Sequence, residues 1–166
     1  MKARSTPQLR VEPPLPQIDL FDLHKRGPLL GLDPGAKTLG IAACDAMRLI
    51  ASPVDTSARG KKLAPALRRF YEIYDEYKAV GVVSGLPLNM DGSAGPRTQA
   101  AKALAFNISQ LRDIPMAWQD ERMTSAQAER VMLDADLSRA RRAELIDASA
   151  AAIILQTAID RLANAG

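Results

Sequence analysis

Leu29-Leu30-Gly31-Leu32-Asp33-Pro34-Gly35-Ala36-Lys37-Thr38-Leu39-Gly40-Ile41-Ala42-Ala43-Cys44 is the stretch on which the fold turns. The short apolar run Leu29–Leu32 stops at Asp33-Pro34-Gly35, a turn signal. Thr38–Cys44 then resumes as a strand of small and β-branched residues. Asp45-Ala46-Met47-Arg48 reads as a hairpin connection, and Leu49–Val54 as a third strand. Three short strands with tight connections imply an antiparallel meander.

Downstream the period changes. Leu63, Leu67, Phe70, Tyr71 and Tyr74 fall at helical spacing, with Pro65 tolerable in a first turn. Ala79–Ser84 is an apolar strand ending at Gly85-Leu86-Pro87, and a polar, glycine-rich loop runs to Gly95. From Pro96 a second helix is marked by Ala101, Leu104, Ala105, Ile108 and Leu111. Met116–Trp118 is a short strand leading to Asp120-Glu121-Arg122. Thr124 and Gln127 make a capping-box pattern for a third helix to about Leu133. The charged stretch Asp134–Arg142 reads as a loop, and an alanine-rich helix runs from about Ala140 to Leu162. The order β-β-β-α-β-α-β-α-α predicts an α/β protein: a mixed five-stranded sheet, three antiparallel strands then parallel crossovers, with helices on both faces. That is the RNase H-like order of elements.

The chain has 166 residues, 47% hydrophobic and 25% charged, enough for one domain with a real core. Residues 1–27, with Pro7, Pro13, Pro14 and Pro16, read as a flexible extension, and 28–166 as the domain. Leu20–Leu23 is a short apolar run that could dock on it. The only cysteine is Cys44 and the only histidine His24, which excludes an internal disulfide and a His-rich metal site. No apolar run approaches the roughly 20 residues that span a bilayer, and the N-terminus does not read as a signal peptide. A cytoplasmic setting without a membrane partner is the expectation. A formal charge of +3 permits nucleic-acid binding without requiring it.

Three acids carry the chemistry. Asp33 ends the first strand, where α/β folds bind ligands above the sheet; otherwise it only shapes the turn. Gly35 and Gly40 would let backbone approach a phosphate closely. Glu121 closes the last strand, in a polar site or a solvated loop. Asp147 shares a helical stripe with Ala151, Ile154, Leu155, Ala158 and Leu162, which puts a carboxylate on the core-facing side. A charge there needs a metal ion or a basic partner such as Arg122, unless it merely sits favourably in an early helical turn. Three carboxylates of this kind suit Mg²⁺ or Mn²⁺, and such a site can cleave phosphodiesters. Gly85–Ser93 precedes a helix N-terminus and is a candidate phosphate-holding loop, or else an ordinary connection. Arg59, Lys61, Lys62, Arg68 and Arg69 form one basic group; Arg139, Arg141 and Arg142 form a second, closer to Asp147.

At four segments the sequence resembles the YqgF/RuvX family. They are Gly31-Leu32-Asp33-Pro34-Gly35-Ala36-Lys37-Thr38-Leu39-Gly40-Ile41-Ala42, Gly85-Leu86-Pro87-Leu88-Asn89-Met90-Asp91-Gly92-Ser93, Asp120-Glu121-Arg122-Met123-Thr124-Ser125, and Asp147 through Gln156. The resemblance covers roughly 29–162. It implies an RNase H-like nuclease that matures the 5′ end of 16S ribosomal RNA precursor, or one that resolves Holliday junctions in branched DNA. It implies that Asp33, Glu121 and Asp147 are catalytic and hold Mg²⁺ or Mn²⁺. Gly35, Lys37, Asn89, Asp91, Gly92, Arg122 and Thr124 would lie on the substrate side. Many members of the wider superfamily carry an acid at the end of the fourth strand, where this chain has Gly85. Glu121 would substitute, or Asp91 could swing in.

Two other classes compete. Asp33-Pro34-Gly35-Ala36-Lys37-Thr38-Leu39-Gly40 also resembles the phosphate loop of sugar kinases and actin-like ATPases, which suggests a nucleotide- or phosphate-binding module. The chain is too short for their two lobes. A non-catalytic scaffold on ribosomal precursors is the other. Monomer and homodimer are both open.

Overall fold

The opening stretch forms the meander expected of it. β1 (Leu29–Pro34) and β2 (Thr38–Cys44) pair antiparallel, with Asp33 opposite Gly40, and β3 (Ala51–Ala58) adds antiparallel to β2. The computed structural model describes residues 18–35, 38–58, 62–122 and 139–165, with backbone alone at 57–58 and 139–149. β3 lies later than the expected Leu49–Val54. Leu49 and Ile50 are exposed in the connection, while the backbone ladder continues through polar Asp55 and Thr56. A ladder needs amides and carbonyls, not apolar side chains. Ile41 pairs with Asp55 but Ala42 with Pro53, so Val54 is the extra residue of a bulge. Pro53 is accommodated because β3 is an edge strand.

α1 (Ala64–Glu76) carries Pro65 in its first turn and leads to β4 (Gly81–Leu86), which pairs parallel to β1. α2 (Pro96–Leu111) crosses over to β5 (Met116–Asp120), parallel to β4. The sheet order is β3-β2-β1-β4-β5, the mixed five-stranded arrangement expected. α3 (Arg139–Ala165) closes the chain. It begins inside the charged stretch expected to be a loop, since arginine and alanine both favour helix. The third helix expected from Thr124 to Leu133 lies outside the described residues. Among the described residues no helix is long and apolar enough to cross a membrane.

Strand alternation sorts the side chains into two layers. Leu30, Leu32, Ile41, Val82 and Met116 pack under α1 and α2 with Phe70, Ile73, Leu104 and Ile108. Leu29, Ala42, Val83 and Ala117 pack under α3 with Ala151, Ile154, Leu155 and Ala158. Gly31 sets the closeness of the second layer. A Cβ on it would stand 2.6 Å from the Ala151 carbonyl oxygen and 2.7 Å from Leu155 Cβ. Gly31→Ala must therefore push α3 off the sheet, with an expected loss of about 1–3 kcal/mol. Urea unfolding checks this, and an unchanged midpoint would show that the helix yields freely.

Residues 18–27, grouped above with the extension, belong to the domain. Ile18 N–H donates to Met116 O at 3.0 Å, and Asp19 Oδ1 caps a short 3₁₀ turn at Leu20–Asp22 by accepting from Phe21 N–H. Leu20 and Leu23 are buried in the α3 layer. Arg48 donates to the carbonyls of Gly27 and His24, and so joins this segment to the β2–β3 hairpin. Two buried leucines outweigh the flexibility suggested by the prolines before them.

Candidate active site

Gly40 and Gly85 are the two places where an absent side chain makes room for an acid. Asp33, on the α3 side of β1, stands opposite Gly40. A Cβ at 40 would lie 3.3 Å from Asp33 Cβ and 3.6 Å from Ala151 Cβ. Gly85 follows Ser84, the partner of Leu32, so position 85 sits beside Asp33 at the carboxyl end of the sheet. A Cβ at 85 would lie 2.4 Å from Glu121 Oε1, 3.0 Å from Glu121 Cγ and 2.7 Å from Ile154 Cδ1. Glu121 thus reaches back from the end of β5 into the volume that a residue-85 side chain would fill.

The electrostatics agree with that placement. Glu121 is pushed up to about 7, first by burial and then by the charge of Asp33; Arg97 opposes the rise and Asp120 adds to it. Of the two acids weighed for second position, Glu121 is the one the fold sets against Asp33. Asp91 is exposed and engaged elsewhere: its Oδ1 accepts from Ser93 N–H at 2.9 Å and from Ser93 Oγ at 2.6 Å, which lowers its carboxyl below the usual range.

Position 147 lies on α3, with its side chain outside the described residues. The backbone path places it. Leu155 lies over Gly31, and Ala151 reaches Gly40, the partner of Asp33. The helix therefore runs back toward the carboxyl end of β1, and position 147 is one turn further on, about 6 Å along the axis. Among the described residues no three His, Cys, Asp or Glu side chains form a metal-holding group. The pair Asp33 and Glu121 nonetheless suits a divalent cation. Both donors are hard carboxylate oxygens, and their mutual repulsion is the kind a bound cation relieves.

The loop after β4 corrects one expectation. Asn89 N–H donates to Ser93 O, Gly92 N–H to Asn89 O, and Asn89 Nδ2 to Ser93 Oγ, all at 2.8–2.9 Å. Gly92 takes φ +88°, the left-handed region that glycine favours. The amides of Asn89, Gly92 and Ser93 are thus used inside the loop and are not open donors for a phosphate. Thr98, buried in the first turn of α2, accepts from Gly95 N–H and donates to Pro87 O, which closes the loop's far end. Gly35 N–H likewise turns back onto Asp33 O at 3.0 Å. Lys37 and Thr124 lie outside the described residues.

Arg122 is a brace. Its Nε and Nη2 grip both oxygens of Asp120 at 2.6–3.1 Å, and Nη1 donates to Met90 O at 3.3 Å. That guanidinium holds the Asp120 carboxyl below its ordinary range. Arg122, offered above as one possible basic partner for Asp147, pairs with Asp120 two residues away, where a fork of donors meets a carboxylate; the Asp147 side chain lies outside the described residues. Two residues went unnoticed in the sequence. Arg97, on the first turn of α2, brings positive charge to Glu121. Gln119 is fully buried beside Ala117 on the α3 side of β5. Its signal was there to read: a polar residue in a core-facing register.

Comparison with known proteins agrees with this geometry. The family described as RuvX, Holliday junction resolvase, matches residues 27–161. A protein of Rhodobacter capsulatus, named as a candidate pre-16S rRNA nuclease, is 49% identical over 144 residues, covering 87% of this chain and 90% of its own. One of Rhodopseudomonas palustris with the same name is 51% identical over 138 residues, covering 83% and 86%. Among solved structures, the RuvC of T. thermophilus in complex with Holliday junction substrate shares the fold. Its TM-score is 0.52 at 18% identity, covering 84% of this chain and 96% of that one. Matched over most of its length by the family and by relatives near half identical, the chain belongs to the RuvX family.

Proposed function

We propose that this chain is a divalent-metal-dependent nuclease that hydrolyses phosphodiester bonds in precursor 16S ribosomal RNA, using Asp33, Glu121 and Asp147. The observation that carries the reading is the pairing of Asp33 with Glu121 in the crevice at the carboxyl end of the sheet, with Gly40 and Gly85 clearing space for them. Two carboxylates set close enough for the charge of one to raise the pKa of the other offer a divalent cation two hard oxygen donors. The chemistry supplied by Mg²⁺ or Mn²⁺ there is charge neutralisation of the phosphate and a lowered pKa for water.

The chain's own residues do the rest. β1 pairs on both sides and fixes Asp33. Glu121, with its carboxyl raised to about 7, would hold the cation as a carboxylate beside Asp33. Arg97 supplies positive charge at the rim, where a substrate phosphate would approach. Arg122 holds the loop around Met90 against the end of β5 and so shapes one wall. The relatives' names favour ribosomal RNA. The family description favours a four-way DNA junction, the second reading.

Incubation of purified protein with precursor 16S ribosomal RNA and with a four-way junction, each across a salt series with Mg²⁺ or Mn²⁺, separates them. Preferred cleavage of the RNA is expected. Preferential, symmetric nicking of the junction would reverse the substrate order, and no cleavage of either would leave a binding protein.

A further inference from the structure

The Gln119 carboxamide is a polar group sealed in an apolar layer. Its side chain has 0% exposure and stands in register with Gly85. Gln119 Oε1 accepts a hydrogen bond from Arg161 Nη1 at 2.8 Å. A guanidinium only donates, so this bond decides the amide's orientation: oxygen toward Arg161, nitrogen away from it. Arg161 is itself held, with its guanidinium carbon 5.7 Å from the centre of the Phe21 ring. Gln119 Nε2 is buried and has no hydrogen-bond partner among the described residues. A buried amide N–H left in that state is costly, and it calls for an acceptor.

Position 85 identifies the acceptor. Paired strands lie about 4.8 Å apart, so the space above Gly85 is the space beside Gln119. That space is where Glu121 Oε1 is lodged, 2.4 Å from the point a residue-85 Cβ would occupy. Ile154 Cδ1 closes it from above, 2.7 Å from the same point.

We infer that Gln119, clamped by Arg161, is the positioning residue that seats the Glu121 carboxylate, its Nε2–H donating to that carboxylate in the working state. The inference rests on the proposed role of Glu121. It also links the docked segment at Phe21 to the active site, through Arg161 and Gln119. Gln119 acts through Glu121 and does not touch the phosphate.

Gln119→Glu is the sharpest test. It keeps the shape and still accepts from Arg161, but it has no N–H to give and sets a second charge beside Glu121. Mn²⁺ binding measured by calorimetry is expected to weaken about 10- to 100-fold, with kcat falling in parallel and KM for nucleic acid unchanged. Arg161→Met frees the amide without adding charge, and should move the same two quantities several-fold. In a Glu121→Gln background, Gln119→Glu should weaken Mn²⁺ binding no further. Wild-type Mn²⁺ affinity and kcat in Gln119→Glu, or lowered thermal stability with kcat intact, would overturn the inference. If Gln119→Glu does not fold, wild-type Mn²⁺ affinity in Arg161→Met overturns it instead. Glu121→Gln separates the two levels. Should that variant bind Mn²⁺ and cleave normally, the proposed site itself fails; if it is inactive while Gln119→Glu is normal, only the positioning role is lost.

Discussion

Asp33→Asn protein is expected to fold normally and to lose about 10³-fold or more of its metal-dependent cleavage. Asparagine keeps the size of the side chain, and the pairing of residue 33 with Gly40 is made by backbone. What disappears is one of two negative charges that the fold sets against each other. Stability should therefore stay level or rise, as when a strained functional group is removed. The carboxyl of Glu121 should also fall back toward its ordinary range, because the second-largest cause of its rise is gone. The measurements are kcat/KM on whichever nucleic acid the wild type cuts, and the urea midpoint. Wild-type cleavage by the purified variant would place the chemistry elsewhere. Loss of cleavage together with a lowered midpoint would make Asp33 a structural residue.

Asp33 was legible in the sequence because one acid, one strand end and one turn coincide within three residues, Asp33-Pro34-Gly35. β2 was legible at both ends for a related reason: its apolar and β-branched run is also its paired run. β3 was not, because its pairing continues through Asp55 and Thr56, where side-chain hydropathy carries no signal. The docking of 18–27 was obscured because Leu20 and Leu23 follow a proline-rich stretch whose composition dominates the reading. The choice between Glu121 and Asp91 needed the register of β4 against β5, which no single segment encodes. Gly85 carried the decisive information in negative form. A glycine at a strand end reads as a missing acid until the neighbouring strand is in place, and then as the space into which Glu121 reaches. The loop amides of Asn89, Gly92 and Ser93 misled for a similar reason, since a sequence shows donors but not the contacts that already satisfy them. The stripe reading of Asp147 concerns a side chain outside the described residues; the backbone of α3 runs past Gly31 and Gly40 toward that position.

Glu121→Gln separates function from stability most clearly. Its cleavage should fall as far as that of Asp33→Asn, since the amide offers a cation one neutral oxygen in place of a carboxylate. The wild type's stability should carry a pH dependence at Glu121 opposite to that of an ordinary salt-bridged acid, and the variant should lack it. The wild-type carboxyl sits at about 7 in the folded protein against 4.5 for an ordinary glutamate. Between those values the native state keeps a proton that the unfolded chain has lost. Wild-type stability therefore falls as pH rises from about 4.5 to 7 and is level above that. The full shift would correspond to about 3 kcal/mol. Glu121 is partly open to solvent, so about 1–2 kcal/mol is the reasonable expectation after screening. Glutamine carries no such penalty: at pH 8 the variant should melt several degrees above the wild type, and at pH 4.5 the two should coincide. Divalent cation then reverses the order. Mg²⁺ or Mn²⁺ at 100 times its dissociation constant should stabilise the wild type by about 2.7 kcal/mol, and the variant far less. Melting curves at pH 4.5 and 8, with and without cation, test both effects. Equal curves for the two proteins at pH 8 would mean that Glu121 is not held against Asp33. Equal stabilisation by the cation would mean that Glu121 is not among its ligands.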